Sequence, residues 1–385
     1  MVRAPQIRPT FRVRTAPRDV RVYAGDHLLD RLGQVLRPAR SGLPVELVTD
    51  RTAAGLFAVR TETTLRRVGW RVRRFVLPPG ESVKSSATIA KLHERWFDAG
   101  YDRHTPIVAL GGGTITDAVG FAAATFMRGL PLWFVPTTIV GQVDAAIGGK
   151  VGINHRRGKN LIGAFYHPDG IIIDSSLLAT LTPRDRRAGL AEVLKYGVIA
   201  DAALFHTCEE SLPAWVEGTR ALDARTIRRC VRIKLDVVAV DETDRGQRHI
   251  LNFGHTLGHA FERWGGFRRL RHGEAVALGM VGAASIARHR GLLRPTAFNR
   301  LADACAVLRP PRRLPEFAAD DILAHLAFDK KRRAGRNLWV LPRGIGRVVI
   351  RDDITQREAR AAVAFVRDWL ATDSGTLPSR TRRSI

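Results

Sequence analysis

Ile107-Val108-Ala109-Leu110-Gly111-Gly112-Gly113-Thr114-Ile115-Thr116-Asp117 runs from an unbroken apolar tetrad through three glycines into a helix start. A short continuous apolar run closed by glycine reads as a strand buried on both faces. Glycines let a backbone approach a pyrophosphate, and the helix N-terminus behind them offers free N–H donors to its charge. The spacing is not GxGxxG, so a tight structural turn explains these glycines equally well. Comparable β-rich runs lie at 20–23, 45–50, 71–77, 106–110, 132–136 and 170–174, separated by stretches of helical length. That alternation predicts a parallel, doubly wound sheet. Beyond Pro183 the pattern is mostly helical, with one hairpin expected through 338–341 and 347–350. The expected organisation is an α/β domain over 1–180, a mainly α-helical domain over 181–371 and a disordered tail over 372–385.

Composition narrows the function. A 45% hydrophobic share over 385 residues is enough for a full core. The first twenty residues contain no apolar run suited to a signal peptide, and no stretch is long enough to span a bilayer. Cys208, Cys230 and Cys305 are too far apart in sequence for a disulfide framework or a CxxC metal site. A cytoplasmic setting with no membrane contact is expected. The net charge of +25 invites a nucleic-acid reading. However, the arginines are scattered and are not interleaved with aromatics as a stacking platform requires, so no nucleic-acid partner is expected. The excess still favours anionic substrates by steering. Only eight lysines stand beside 54 arginines. In such a chain a lysine marks a place that needs a compact ammonium. Lys84, Lys150, Lys159, Lys195, Lys234 and Lys330 fall inside the motifs below; Lys91 and Lys331 do not single out a motif of their own.

Three further clusters carry chemistry. Arg248, Asn252, His255 and His259 fall within roughly 60° of one another on a continuous helix, with Ile250, Phe253, Leu257 and Phe261 opposite. A solvated face would carry Lys and Glu, so this one reads as the wall of a cleft. His255 and His259 have i, i+4 spacing, His272 follows in an HGEAVALGM segment, and Glu192 with Lys195 lies in GLAEVLKYGVIAD. Two imidazoles and one carboxylate suit zinc or cobalt with open positions, and the absence of HExxH excludes a metalloprotease. Spacing does not decide which histidines ligate. The third cluster runs from Gln142 and Asp144 to Gly148-Gly149-Lys150 and on to Gly158-Lys159-Asn160, where glycines flanking lysines suit a phosphate. Asp50, ending a strand, suits a ribose hydroxyl or a plain helix cap.

Together the segments GGGTITDAVGFAAATFMRG, VPTTIVGQVDAAIGGKVGINHRRGKNLIGAFYHP, GLAEVLKYGVIAD, ILNFGHTLGHAFE, HGEAVALGM and DKK resemble the 3-dehydroquinate synthase family over about residues 50–350. The resemblance implies an N-terminal NAD-binding α/β domain, a helical C-terminal domain, a zinc or cobalt ion and a homodimer. Matched motif by motif, it implies Glu192, His255 and His272 as metal ligands. It implies nucleotide contacts at Asp50, Gly80, Glu81, Lys84, Gly113, Thr114, Ile115, Thr116, Asp117, Thr137, Thr138 and Thr180, with Lys150 and Lys159 near both cofactor and substrate. Substrate phosphate falls to Lys150, Asn160, His259, Lys330 and, from a second subunit, Arg128. The substrate carboxylate falls to Arg248, Asn252 and Lys234, and its hydroxyls to Asp144 and Lys195. The implied substrate is a seven-carbon sugar-acid phosphate, cyclised in a redox-neutral lyase reaction. Departures from the family pattern are Thr116 for glycine, Ala145-Ala146 for a Ser-Ser pair, Val151 for threonine, and Asp244 for a glutamate near the substrate hydroxyls. The alternatives are an amino-dehydroquinate synthase, a sister sugar phosphate cyclase whose substrate lacks the carboxylate, or a metal-dependent polyol dehydrogenase.

Overall fold

The computed structural model describes residues 7–15, 19–308, 314–326, 332–333 and 336–372. Lys330 and the expected tail beyond Thr372 lie outside the described residues. In chain order the strands are β1 (Phe11–Arg14), β2 (Asp19–Gly25), β3 (Pro44–Asp50), β4 (Arg71–Leu77), β5 (Ile107–Gly111), β6 (Leu132–Pro136), β7 (Lys150–His155), β8 (Gly158–Phe165), β9 (Gly170–Asp174), β10 (Arg332–Arg333), β11 (Arg336–Asn337), β12 (Trp339–Gly344) and β13 (Arg347–Arg351). The helices are α1 (Leu32–Val35), α2 (Arg51–Ala53), α3 (Val59–Arg67), α4 (Ser86–Asp98), α5 (Gly113–Thr125), α6 (Pro183–Ala200), α7 (Ala202–Glu217), α8 (Ala224–Val240), α9 (His255–Trp264), α10 (His272–His289), α11 (Pro295–Val307), α12 (Ala319–Leu323) and α13 (Gln356–Ala371). No helix among the described residues is long and apolar enough to cross a membrane.

The chain divides into two compact units, 1–180 with 222–243, and 181–221 with 244–385. Among the described residues, the first unit carries a seven-stranded sheet in the order β1-β2-β9-β6-β5-β3-β4, parallel throughout except for β1 on β2. Each of the six runs read as strands in the first half is a strand of this sheet. Helices connect β3 to β4, β4 to β5 and β5 to β6, while the crossover from β6 to β9 carries the β7–β8 hairpin; β5, β6 and β9 are buried along their whole length. Leaving β3, the chain adds β4 on one side and then returns to place β5 on the other. The reversal falls at the carboxyl ends of β3 and β5, the place where open α/β sheets take their ligands. Asp50 ends β3 and Gly111 ends β5, so both lie at that reversal.

The segment 222–243 belongs to the first unit, whereas the sequence reading grouped it with the helical half. Helix α8 is capped by Asp223 and buries Ile227, Cys230, Val231, Lys234, Leu235 and Val238 along one stripe. That stripe packs against β2 and the turn Gly141–Ala145. Such membership is set by which surface a stripe meets, and helical periodicity does not encode it. The β7–β8 hairpin, read only as glycine–lysine loops, is antiparallel and brings Gly152 against Gly163. A Cβ on either would meet a carbonyl of the other strand, at 2.6 and 2.4 Å.

In the second unit, α6 starts from a Thr182 cap with Pro183 at its first position, and is buried continuously from Ala188 to Ile199. The expected hairpin is β12–β13. The continuous helix expected through residues 248–259 is not formed. A 3₁₀ turn spans Gln247–Asn252, Phe253 is extended, and Gly254 at φ +79° starts α9 afresh. The cause is a backbone contact with α10. A Cβ on Gly254 would meet Val276 O at 2.7 Å, and one on Gly279 would meet Gly254 O at 1.8 Å. The single polar face of Arg248, Asn252, His255 and His259 is therefore two short pieces at an angle.

Candidate functional site: a carboxylate–imidazole centre and a glycine-lined crevice

In the second unit α6, α9 and α10 deliver Glu192, His255 and His272, whose ligand atoms all lie within 4.8 Å of one another. Glu192 Oε1 stands 3.6 Å from His255 Nε2 and 3.3 Å from His272 Nε2. Two donors on a tetrahedral zinc at 2.0–2.1 Å stand about 3.3–3.4 Å apart, so this donor set fits such an ion. The remaining ring nitrogens have partners. His255 Nδ1 lies 3.1 Å from the Phe253 carbonyl, and His272 Nδ1 lies 3.1 Å from Glu262 Oε2. Burial disfavours a charged His272, but the Glu262 and Glu192 carboxylates outweigh it and push the imidazolium pKa up to about 10. Lys195 Nζ lies 2.5 Å from Glu192 Oε2, and both groups are almost wholly buried. His259 packs edge-on to His255 at 5.4 Å between ring centroids and is half-buried. A second possible donor set is His259, Glu262 and His272.

Close helix contacts build this centre. Gly273, next to His272, lies so near α6 that a Cβ there would meet Ala188 O at 1.7 Å. Together with the Gly254–Gly279 contact, this holds α10 at backbone distance from α6 and from the start of α9. The Arg184 guanidinium grips both oxygens of the fully buried Glu274, at 2.7 and 2.9 Å, and Glu274 also accepts from Arg271 N ahead of α10. In the same unit, Arg248 is 2% exposed in the 3₁₀ turn, with Asn252 half-buried at its end. Asp244, at φ +60°, places Oδ1 3.3 Å from His249 Nδ1.

In the first unit Asp50 caps α2: Oδ1 accepts from Thr52 N at 2.8 Å and Ala53 N at 3.0 Å. The cap is therefore real, and it uses one carboxylate oxygen. Helix α5 begins at Gly113 beside the end of β6, where Thr137 N donates to Gly111 O and the Thr138 methyl lies against Gly112. Close approach explains the glycines. A Cβ on Gly111 would meet the Ile115 side chain at 2.7 Å, and one on Gly113 would meet Ala145 Cβ at 2.9 Å. A bare backbone opening onto a helix N-terminus fits a dinucleotide pyrophosphate. Thr114 lies in that first turn, and the Thr116 hydroxyl returns to Gly113 O at 3.0 Å.

Lys84 is 5% exposed, donates to Asp117 Oδ2 at 2.6 Å and to Asn160 Oδ1, and lies 4.0 Å from Glu81. Burial raises the Asp117 pKa, and the Lys84 ammonium opposes that rise. Asn160 takes φ +53°, while Gly80 at φ +92° leads into Glu81. Lys234 Nζ bonds Asp144 Oδ1 at 2.6 Å and its carbonyl at 2.5 Å. Lys150 opens β7 exposed, Lys159 is half-buried in β8, Thr180 is exposed, and Arg128 is exposed at φ +66°. The sequence reading gave Glu262 no role. The available signal was a carboxylate seven residues after His255, inside a segment already carrying two histidines.

Residues 74–188 match the family profile described as 3-dehydroquinate synthase N-terminal, and residues 189–332 match 3-dehydroquinate synthase C-terminal. The 3-dehydroquinate synthase of Desulforamulus reducens is 40% identical over 357 residues, covering 92% of this chain and 99% of that protein. The Geobacter metallireducens 3-dehydroquinate synthase is 43% identical over 337 residues, covering 88% and 94%. Among solved structures, the Streptomyces hygroscopicus 2-epi-5-epi-valiolone synthase ValA, with NAD+ and Zn2+ bound, superposes with a TM-score of 0.82 at 32% identity, covering 92% and 98%. A glycerol dehydrogenase from Schizosaccharomyces pombe, at TM-score 0.63 and 17% identity, shares the fold alone. With both halves matched in order and relatives alike over nearly their full length, this chain belongs to the 3-dehydroquinate synthase family.

Proposed function

We propose that the protein is a 3-dehydroquinate synthase, converting 3-deoxy-D-arabino-heptulosonate 7-phosphate to 3-dehydroquinate and phosphate in the shikimate pathway. NAD and a zinc or cobalt ion are its cofactors, and a cytoplasmic homodimer is its setting. The observation that carries this reading beyond family likeness is the convergence of His255 Nε2 and His272 Nε2 on Glu192 Oε1. When bound, NAD supplies a reversible hydride acceptor and the ion supplies Lewis acidity at the oxygen being oxidised.

The remaining work is binding and orientation. The first turn of α5, from Gly113 to Asp117, holds the nucleotide phosphates, and the second Asp50 oxygen takes a ribose hydroxyl. Lys84 fixes Asp117 in place for this. Lys150, Asn160, His259 and Lys330 bind the substrate phosphate, joined by Arg128 from a second subunit. Arg248 grips the carboxylate with two parallel hydrogen bonds, assisted by Asn252 and Lys234. Asp144, Lys195 and Asp244 orient the hydroxyls. With the hydroxyls held by Asp144, Lys195 and Asp244, one hydride would pass to NAD and back, and the C–H beside the resulting ketone would lose its proton to the phosphate as the C–O bond breaks. Arg248 at the carboxylate would then keep the phosphate-free sugar acid oriented for ring opening and an intramolecular aldol.

The test is incubation of the purified chain with the seven-carbon acid phosphate, NAD and zinc, following phosphate and carbocycle together. Equimolar phosphate and 3-dehydroquinate are expected. Turnover only of a heptulose phosphate lacking the carboxylate would move the protein to a sister cyclase.

A further inference from the structure

We infer that Glu262 is a positioning residue of the metal centre, holding the His272 imidazole with Nδ1–H donated to its carboxylate so that Nε2 offers its lone pair toward Glu192. The inference rests on the proposed reading of Glu192, His255 and His272 as ligands. Three observations carry it. The contact is 3.1 Å, a hydrogen-bond length, while the opposite nitrogen lies 3.3 Å from Glu192 Oε1. Glu262 is 3% exposed, so its carboxylate sits where a charge is stable only with close partners. His272 is the first residue of α10 and its side chain remains 35% exposed, so the surroundings enclose the ring only in part and the Glu262 hydrogen bond is a specific hold on its orientation.

The two histidines solve one problem in different ways. An imidazole ligand must present a deprotonated nitrogen, and the bond made by the other nitrogen decides which one that is. His255 has the carbonyl of Phe253 two residues upstream, set by the local chain path. His272 starts a new helix and is served by a side chain from α9. That partner is a carboxylate, which makes the ring a stronger donor than a carbonyl does. Because Glu262 and His255 share α9, the helix that supplies one ligand also orients the other.

The experiment titrates the metal-stripped full-length protein with zinc against a chromophoric chelator, and records the visible spectrum of the cobalt form at saturation. Glu262→Gln keeps an acceptor without the charge and is expected to weaken zinc about tenfold, and Glu262→Ala up to about 100-fold. Both variants should bind one ion, and the Glu262→Gln cobalt bands should keep their wild-type positions. His259→Ala should bind zinc as the wild type does. Wild-type affinity in Glu262→Ala, or in Glu262→Gln should the alanine variant not fold, overturns the inference and leaves the ligand reading intact. Shifted cobalt bands in Glu262→Gln together with weak binding in His259→Ala would make Glu262 a ligand, and that also overturns it. Undiminished zinc binding in Glu192→Ala and His255→Ala would instead remove the ligand reading itself, and the inference with it.

Discussion

Among the described residues Arg248 is the most deeply buried guanidinium and one of the largest fully enclosed side chains. Such a group keeps its charge, and its planar fork matches a carboxylate in a way an ammonium does not. Arg248→Lys is therefore expected to reduce kcat/KM for the acid substrate more than tenfold, on the order of 1.5–3 kcal/mol. Steady-state kinetics on wild type and variant measure it, and equal values would make Arg248 a structural cation. At this scale residue types were legible and partners were not. The scarcity of lysine pointed to Lys84, Lys195 and Lys234, and each proves to be almost fully buried. Their close carboxylates are Asp117, Glu192 and Asp144. Only the Lys195–Glu192 pair lies within one helix, and the other two join segments 33 and 90 residues apart, which no local pattern encodes. Asp50 was open between cap and ligand, and the structure gives one oxygen to the cap.

Elements were read well where the pattern was local and poorly where a neighbour intervened. Buried apolar runs flanked by helical stretches placed the strands of the parallel sheet correctly. The helix through 248–259 failed because α10 approaches closely enough to force Gly254 into the left-handed region. Gly279→Ala tests that cause. Its methyl group has no room beside Gly254 O, so α9 and α10 must separate. The expected loss is about 1–3 kcal/mol of stability, with weaker zinc binding because His255 and His272 part. An unchanged melting temperature in thermal denaturation would refute the contact. At its other end α10 is tied to α13 by Arg290, which bonds Glu358 at 2.6 and 2.9 Å and Asp353 at 2.9 Å. The Arg290 guanidinium holds Glu358 at a pKa of about 2, below its ordinary 4.5. A depressed folded-state pKa stabilises the fold above the unfolded value and loses that contribution as pH falls. The difference in melting temperature between wild type and Glu358→Gln should therefore shrink from about pH 5 toward pH 3. A constant difference across that range would show that the ion pair contributes nothing.

For the molecule as a whole, the sequence conveyed an α/β unit followed by helices, but not that 222–243 rejoins the first unit. That return brings Lys234 to Asp144, two residues read separately from the motifs. The decisive whole-molecule question is what becomes of the hydride, since the fold is shared with a glycerol dehydrogenase. A dehydrogenase releases reduced cofactor with every turnover and has no use for groups that bind a leaving phosphate. A cyclase removes a hydride and returns it to the same molecule, so its cofactor is needed only in catalytic amount. This chain has Lys150, Lys159 and Asn160 along the β7–β8 hairpin, cationic and amide groups beside glycine backbone, and a net charge of +25 that favours a doubly anionic substrate. With NAD well below substrate concentration, absorbance of NADH should stay flat through many turnovers while phosphate rises one for one with product. NADH accumulating in step with substrate consumed, without phosphate, would make the protein an oxidoreductase even if every metal ligand were correct.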